Sequence, residues 1–105
     1  MKHEKAMTSL ELRRIVNEID SEWLGSRMRK AYQPSKKIII LRLGRPGINR
    51  DLVIATGRRV YLSNRNRSMP NLPSGFAMVL RKHLGNSRLI KIEQMGFDRS
   101  IILTF

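Results

Sequence analysis

The run Ile38-Ile39-Ile40-Leu41 constrains what this chain can fold into more than any other stretch. Consecutive β-branched residues lose side-chain freedom in a helix and pack well on a pleated surface, so Lys36 to Leu43 reads as a strand buried in a sheet. The run is far too short to span a bilayer, and no apolar stretch follows Met1-Lys2-His3-Glu4-Lys5 as it would in a signal peptide. A chain of 105 residues has room for one domain with one core. Any helix it forms must therefore pack on strands such as this one.

The first helix announces itself by a capping box. Thr8-Ser9-Leu10-Glu11 places Thr8 at the N-cap and Glu11 at N3, with Met7 and Leu12 at the two positions of a hydrophobic staple. Leu12, Ile15, Val16, Ile19 and Trp23 then form one apolar stripe, and Gly25 is placed to end the helix as its C′ residue. Arg27 to Gln33 reads as a strand stopped by Pro34. Gly44 to Arg50 reads as a loop by its glycine and proline content. Leu52 to Ala55 and Arg59 to Ser63 are two short strands around the turn Thr56-Gly57-Arg58, giving four strands in an antiparallel meander. Asn64 to Pro73 is a polar connector whose Arg65 and Arg67 are candidates to grip phosphate.

A second helix starts at Ser74 as N-cap, turns Phe76, Ala77, Leu80 and Leu84 inward and stops at Gly85. Arg88 to Met95 and Ser100 to Phe105 close the fold as a hairpin, with Ile101, Leu103 and Phe105 on one face and Asp98-Arg99 in its turn. The order α-β-β-β-β-α-β-β predicts an α+β fold, an antiparallel β-sandwich flanked by two helices. The chain ends on the last residue of an apolar strand, so it is expected to be the first part of a longer protein. The unfinished edge strand is a possible route to self-association.

Charge points to the partner. The net charge is +13 and unevenly placed: residues 26–67 hold twelve Lys and Arg against Asp51 alone. Such a concentration predicts binding to a polyanion, with nucleic acid the default. The absence of cysteine is compatible with a cytoplasmic setting and excludes a disulfide framework or thiolate zinc site. His3 and His83 lie far apart with no metal-ligand spacing, and neither a nucleophile elbow nor a phosphate loop occurs. No cofactor is expected. Among the aromatic residues, Tyr32 and Phe97 read as the best exposed platforms for stacking bases. Glu11 has a structural role as the capping acid, Asp98 has one as a turn residue, and Arg81-Lys82-His83 complement the dipole of the last helical turn.

Several motifs resemble one family. T-S-L-E-L-R-R-I-V-N-E-I at the first helix, A-Y-Q-P at Ala31 to Pro34, R-R-V-Y-L-S at Arg58 to Ser63, P-S-G-F-A-M-V-L-R-K-H-L at Pro73 to Leu84 and Q-M-G-F-D-R at Gln94 to Arg99 resemble the start of the NFACT family. These are the ribosome-associated quality-control factors of eukaryotes and archaea, with bacterial relatives historically called fibronectin-binding proteins. The resemblance implies a domain similar to the N-terminal domain of formamidopyrimidine-DNA glycosylases. It also implies binding to large ribosomal subunits obstructed with peptidyl-tRNA, and recruitment of tRNA for C-terminal tailing.

The family's acidic residue of the first helix and its Asp-Arg pair carry over to Glu11, Asp98 and Arg99, although many relatives have Asp where this chain has Glu11. With Arg13, Arg65, Arg67, Arg81, Lys82 and His83, these are the candidate nucleic-acid contacts. The glycosylases use an N-terminal proline amine as nucleophile, and here no proline precedes Pro34, so an enzyme of that type is not expected. A nucleic-acid lyase or nuclease using Asp98 and Glu11 is the alternative, and a protein-docking domain with incidental charge is a third reading.

Overall fold

The structure, a computed structural model, describes residues 7–64, 73–95 and 100–105. Its elements follow the expected order: α1 (Ser9–Glu22), β1 (Arg27–Ser35), β2 (Ile38–Arg45), β3 (Ile48–Ala55), β4 (Arg59–Ser63), α2 (Gly75–Leu84), β5 (Lys91–Gln94) and β6 (Ile101–Thr104). The first four strands form one antiparallel sheet in sequential order, and β5 and β6 pair as a separate antiparallel hairpin.

α1 starts as its sequence requires. The Thr8 hydroxyl accepts from the Glu11 N–H at 3.1 Å and the Glu11 carboxylate accepts from the Thr8 N–H at 3.0 Å, so two otherwise orphaned donors are satisfied. Leu12, Val16, Ile19 and Trp23 are buried in one stripe, with Met7 and Ile15 packed against it. The helix ends at Trp23, and Gly25 supplies the left-handed turn (φ 86°) two residues later rather than at C′.

The stripe meets Ala31, Leu41, Leu43, Leu52 and Val60 on the inner face of the four-stranded sheet. Leu89 and Ile92 join the same core, and Ile101, Leu103 and Phe105 of the closing strand pack against it as their alternation predicts. The second layer is therefore mixed, an α-helix beside a two-stranded hairpin, and not the second full sheet of a sandwich. Fully buried residues such as Ile19, Leu43 and Leu52 each contribute roughly 1.5–3 kcal/mol by leaving water. Among the described residues β6 pairs only with β5.

Four local expectations change. β1 does not stop at Pro34 but runs to Ser35, with a register shift between Tyr32 and Ser35 that accommodates the missing proline N–H. Most of the expected 44–50 loop is strand: β2 and β3 pair continuously from Ile38↔Ala55 to Arg45↔Ile48, and only Pro46-Gly47 turns, with Gly47 at φ 78°. Arg88 forms an isolated bridge with Arg27, and the strand proper starts at Lys91. Phe76, expected inward, is 52 % exposed, because α2 lies along β1 and packs through Ala77, Leu80 and Leu84 one face round.

On the outer face, Arg42 and Asp51 stand directly opposite on β2 and β3. Asp51 is only 4 % exposed and meets Arg42 through Nε–Oδ1 at 2.9 Å and Nη2–Oδ2 at 3.3 Å. This hydrogen-bonded carboxylate raises the Arg42 pKa above its ordinary value, against the opposing effect of desolvation. Asp51→Ala should lower unfolding free energy by about 2 kcal/mol, since it strands a half-buried guanidinium, while a paired Arg42→Leu/Asp51→Val change should recover most of the loss. Urea denaturation of the two variants checks this.

The Glu11 pKa is lowered, first by the Thr8 backbone hydrogen bond, then by the Thr8 side chain, with Arg59 and Arg14 adding smaller attractions. A carboxyl whose folded pKa is depressed contributes stability that is complete above its ordinary value of 4.5 and is lost as pH falls through the lowered folded value. Glu11→Gln should therefore lose less stability than the parent on acidification through that window, a difference read from melting curves across pH.

Candidate nucleic-acid interface

One end of the sheet gathers the N-terminus of α1, the β3–β4 turn and the base of the β5–β6 hairpin. Gly57 (φ 76°) makes the turn, closed by the Arg58 N–H on the Ala55 carbonyl at 2.9 Å. Arg58 returns its own carbonyl to the Met7 N–H at 2.6 Å, which ties the approach to α1 onto the turn. The Gln94 side chain donates to the Ser9 carbonyl at 3.0 Å and fixes the hairpin against the first turn of the helix. Between these elements lies a cleft of about 510 Å³, with apolar walls from Leu12, Ile54, Val60 and Ile101 and a rim that includes Arg58, Arg59 and Ser100.

The expected site residues divide by position. Glu11 is exposed beside this cleft, acts as the helix cap and feels the charges of Arg59 and Arg14. Arg13 is exposed on the same helix. Asp98, Arg99, Arg65 and Arg67 lie outside the described residues. The flanks of the Asp98-Arg99 turn are described, however, and the Met95 N–H donates to the Ser100 carbonyl at 3.0 Å across its base. The chain thus leaves and re-enters the hairpin beside the α1 N-terminus.

α2 carries the remaining three. Arg81 donates from Nε to the Ala31 carbonyl at 2.9 Å and stands 5.0 Å from the Tyr32 ring centroid, so it fastens α2 to β1. Lys82 and His83 are exposed in the last turn. Tyr32, expected as an exposed stacking platform, is only 9 % exposed. Its hydroxyl accepts from Arg42 at 3.3 Å and both guanidinium groups lie near its ring, so no base can stack there. Phe97 lies outside the described residues.

The opposite end of the sheet holds cations that motif reading passed over. Arg45, at the end of β2, sits 4.3 Å from the Trp23 ring centroid and donates to the Glu22 carbonyl at 2.6 Å, covering the C-terminus of α1. Their signal in the sequence was the charge excess of residues 26–67, which counts cations without saying where the strands carry them. Among the described residues no group of three or more His, Asp or Glu is placed to hold a metal ion, and no helix is long and apolar enough to cross a membrane.

Comparison with known proteins agrees with the motifs. A family model described as the NFACT N-terminal and middle domains matches residues 8–105. The chain is 40% identical over 105 residues to an archaeal Rqc2 homolog of Methanocaldococcus jannaschii, which covers 94% of this chain but only 16% of that protein. It is 33% identical over 101 residues to ribosome quality control complex subunit 2 of Saccharomyces cerevisiae, with 94% of this chain and 10% of that one covered. Human ribosome quality control complex subunit NEMF is 31% identical over 98 residues, covering 93% of this chain and 9% of that one. Among solved structures, the N-terminal domain of the fibronectin-binding protein PavA from Streptococcus pneumoniae superposes with a TM-score of 0.85 at 29% identity, over 93% of this chain and 40% of that one. The sequence motifs, the element order and these matches place the chain in the NFACT family.

Proposed function

We propose that this chain is the first part of the N-terminal domain of a cytoplasmic ribosome quality-control factor and serves it as an RNA-binding module without catalysis of its own. In this reading the whole protein binds large ribosomal subunits obstructed with peptidyl-tRNA and recruits tRNA for C-terminal tailing. The observation that carries it is the convergence, in a chain of net charge +13, of Glu11, Arg59 and the base of the Asp98-Arg99 turn at one end of the sheet. The relatives named as ribosome quality control subunits support the same reading.

Each group then has a role. Arg99 offers bidentate donors to tRNA, and Asp98 accepts from a base or ribose hydroxyl. Arg65, Arg67, Lys82 and His83 meet backbone phosphates, and Arg81 serves by holding α2 in place behind the last two. Arg13 extends the contact along α1, and Glu11 keeps the helix start, to which Gln94 of β5 is bonded, in position. Kinship with the N-terminal domain of formamidopyrimidine-DNA glycosylases belongs to the same proposal, as an inherited nucleic-acid-binding scaffold.

The lyase or nuclease alternative needs a free acid–base pair. Of the two carboxylates that alternative uses, Glu11 is engaged in the helix cap, which favours binding over catalysis, and Asp98 lies outside the described residues. Asp98→Ala and Arg99→Ala should each weaken tRNA binding about tenfold while bulk RNA affinity changes less than about twofold, measured by competition between tRNA and unstructured RNA. Equal loss toward every RNA would contradict a selective turn, and cleavage of an abasic oligonucleotide that Asp98→Ala abolishes would establish the enzyme instead.

A further inference from the structure

Five arginines lie at the end of the sheet opposite the β3–β4 turn and the Met95–Ser100 base of the closing hairpin: Arg27 and Arg29 on β1, Arg45 ending β2, Arg50 near the start of β3, and Arg88 in the segment before β5. By strand alternation Arg45 and Arg50 share the inner side with Leu43 and α1, while Arg29 lies over Gly44 on the outer face, so the arginines border this end of the sheet from both sides. Arg27 and Arg88 face each other directly across an antiparallel bridge, flanked by Met28 N–H to Ser87 O at 2.9 Å and Leu89 N–H to Ser26 O at 2.8 Å. That is the arrangement in which opposed side chains come closest, and like charges there oppose folding.

The cluster is positioned without being neutralised. Arg27 donates to the Asn86 carbonyl at 3.0 Å, Arg45 to the Glu22 carbonyl at 2.6 Å and Arg50 to the Asn49 carbonyl at 3.0 Å. Among the described residues none of the five forms an ion pair with a carboxylate, whereas Arg42 does so with Asp51. Gly44 adds a steric provision. A Cβ at this position would stand 2.6 Å from Arg29 Nε and 2.8 Å from Asn49 Oδ1, so glycine gives Arg29 room to lie across β2 as it does here. Trp23, the aromatic side chain against Arg45, is 3 % exposed, so it offers no face to a base.

We infer that this arginine end is a second RNA contact, which grips the phosphate backbone and does not read bases. Carbonyls fix three of the five guanidinium groups, those of Arg27, Arg45 and Arg50, and each planar fork has further N–H donors to offer an anion. The inference rests on the reading of the chain as an RNA-binding module and adds to it a site independent of the Asp98-Arg99 turn. RNA held at both ends would be aligned along the sheet, with sequence or shape read at one end and register fixed at the other.

The test uses the full chain carrying Arg29→Gln/Arg50→Gln/Arg88→Gln, which spares the Trp23 stack and the Arg27 link. RNA affinity at about 0.1 M salt should fall by an order of magnitude or more, and the slope of log affinity against log salt should fall by about 2 to 3, with tRNA preference unchanged. The Arg→Lys triple variant should restore the slope. If the glutamine variant melts below the parent, single Arg29→Gln and Arg88→Gln variants should each lower the slope by about 1.

Unchanged affinity and slope, with a parent that binds RNA, would overturn this inference alone. A parent that binds no RNA at low salt would overturn the functional reading with it. Loss of retention on polyglutamate with RNA affinity intact would assign the surface to an acidic protein and also overturn it.

Discussion

The apolar stripe of α1 has one place to go, the inner face of the four-stranded sheet, and much of the fold depends on that contact. The capping box fixes where the helix starts, Trp23 and Gly25 fix where it ends, and the strands supply Leu41, Leu43 and Leu52 opposite it. The hairpin of β5 and β6 fills the remaining inner surface, which brings residues far apart in sequence to the first turn of the helix. Both ends of the sheet inherit their surroundings from this packing: the helix start at one, the helix end under Arg45 at the other.

The arginines then separate into two physical kinds. Arg42 and Arg81 work inward, one on a buried carboxylate and both beside Tyr32, and they join strand to strand and helix to strand. At the arginine end Arg27, Arg45 and Arg50 donate to backbone carbonyls and Arg29 lies over Gly44, and none of them forms an ion pair with a carboxylate among the described residues. A count of charges cannot make this distinction, because it depends on which strand position stands opposite a carboxylate.

Much of the architecture was legible because the signals were local. The capping box, the α1 stripe, the Gly57 turn and the alternation of Ile101, Leu103 and Phe105 each read out in the structure as written. Two of the misreadings share a cause in pairing. Gly44 and Pro34 look like loop residues, yet one sits in a strand, paired with Arg27 and Asn49 with Arg29 lying where its Cβ would be, and the other at a register shift where no N–H is needed. Tyr32 looked available and is sealed by two arginines from other elements. The capping position of Glu11 and the pairing of the closing hairpin were legible, whereas the arginine end required the strand register.

We propose that this chain brings a quality-control factor to RNA. The most direct test is co-sedimentation of the full chain with large ribosomal subunits that carry peptidyl-tRNA, beside vacant subunits, over a range of salt. Preferential retention on the obstructed subunits, released steeply as salt rises, is the expected result. Absence from both subunit fractions at low salt, or retention that salt does not weaken, would contradict it.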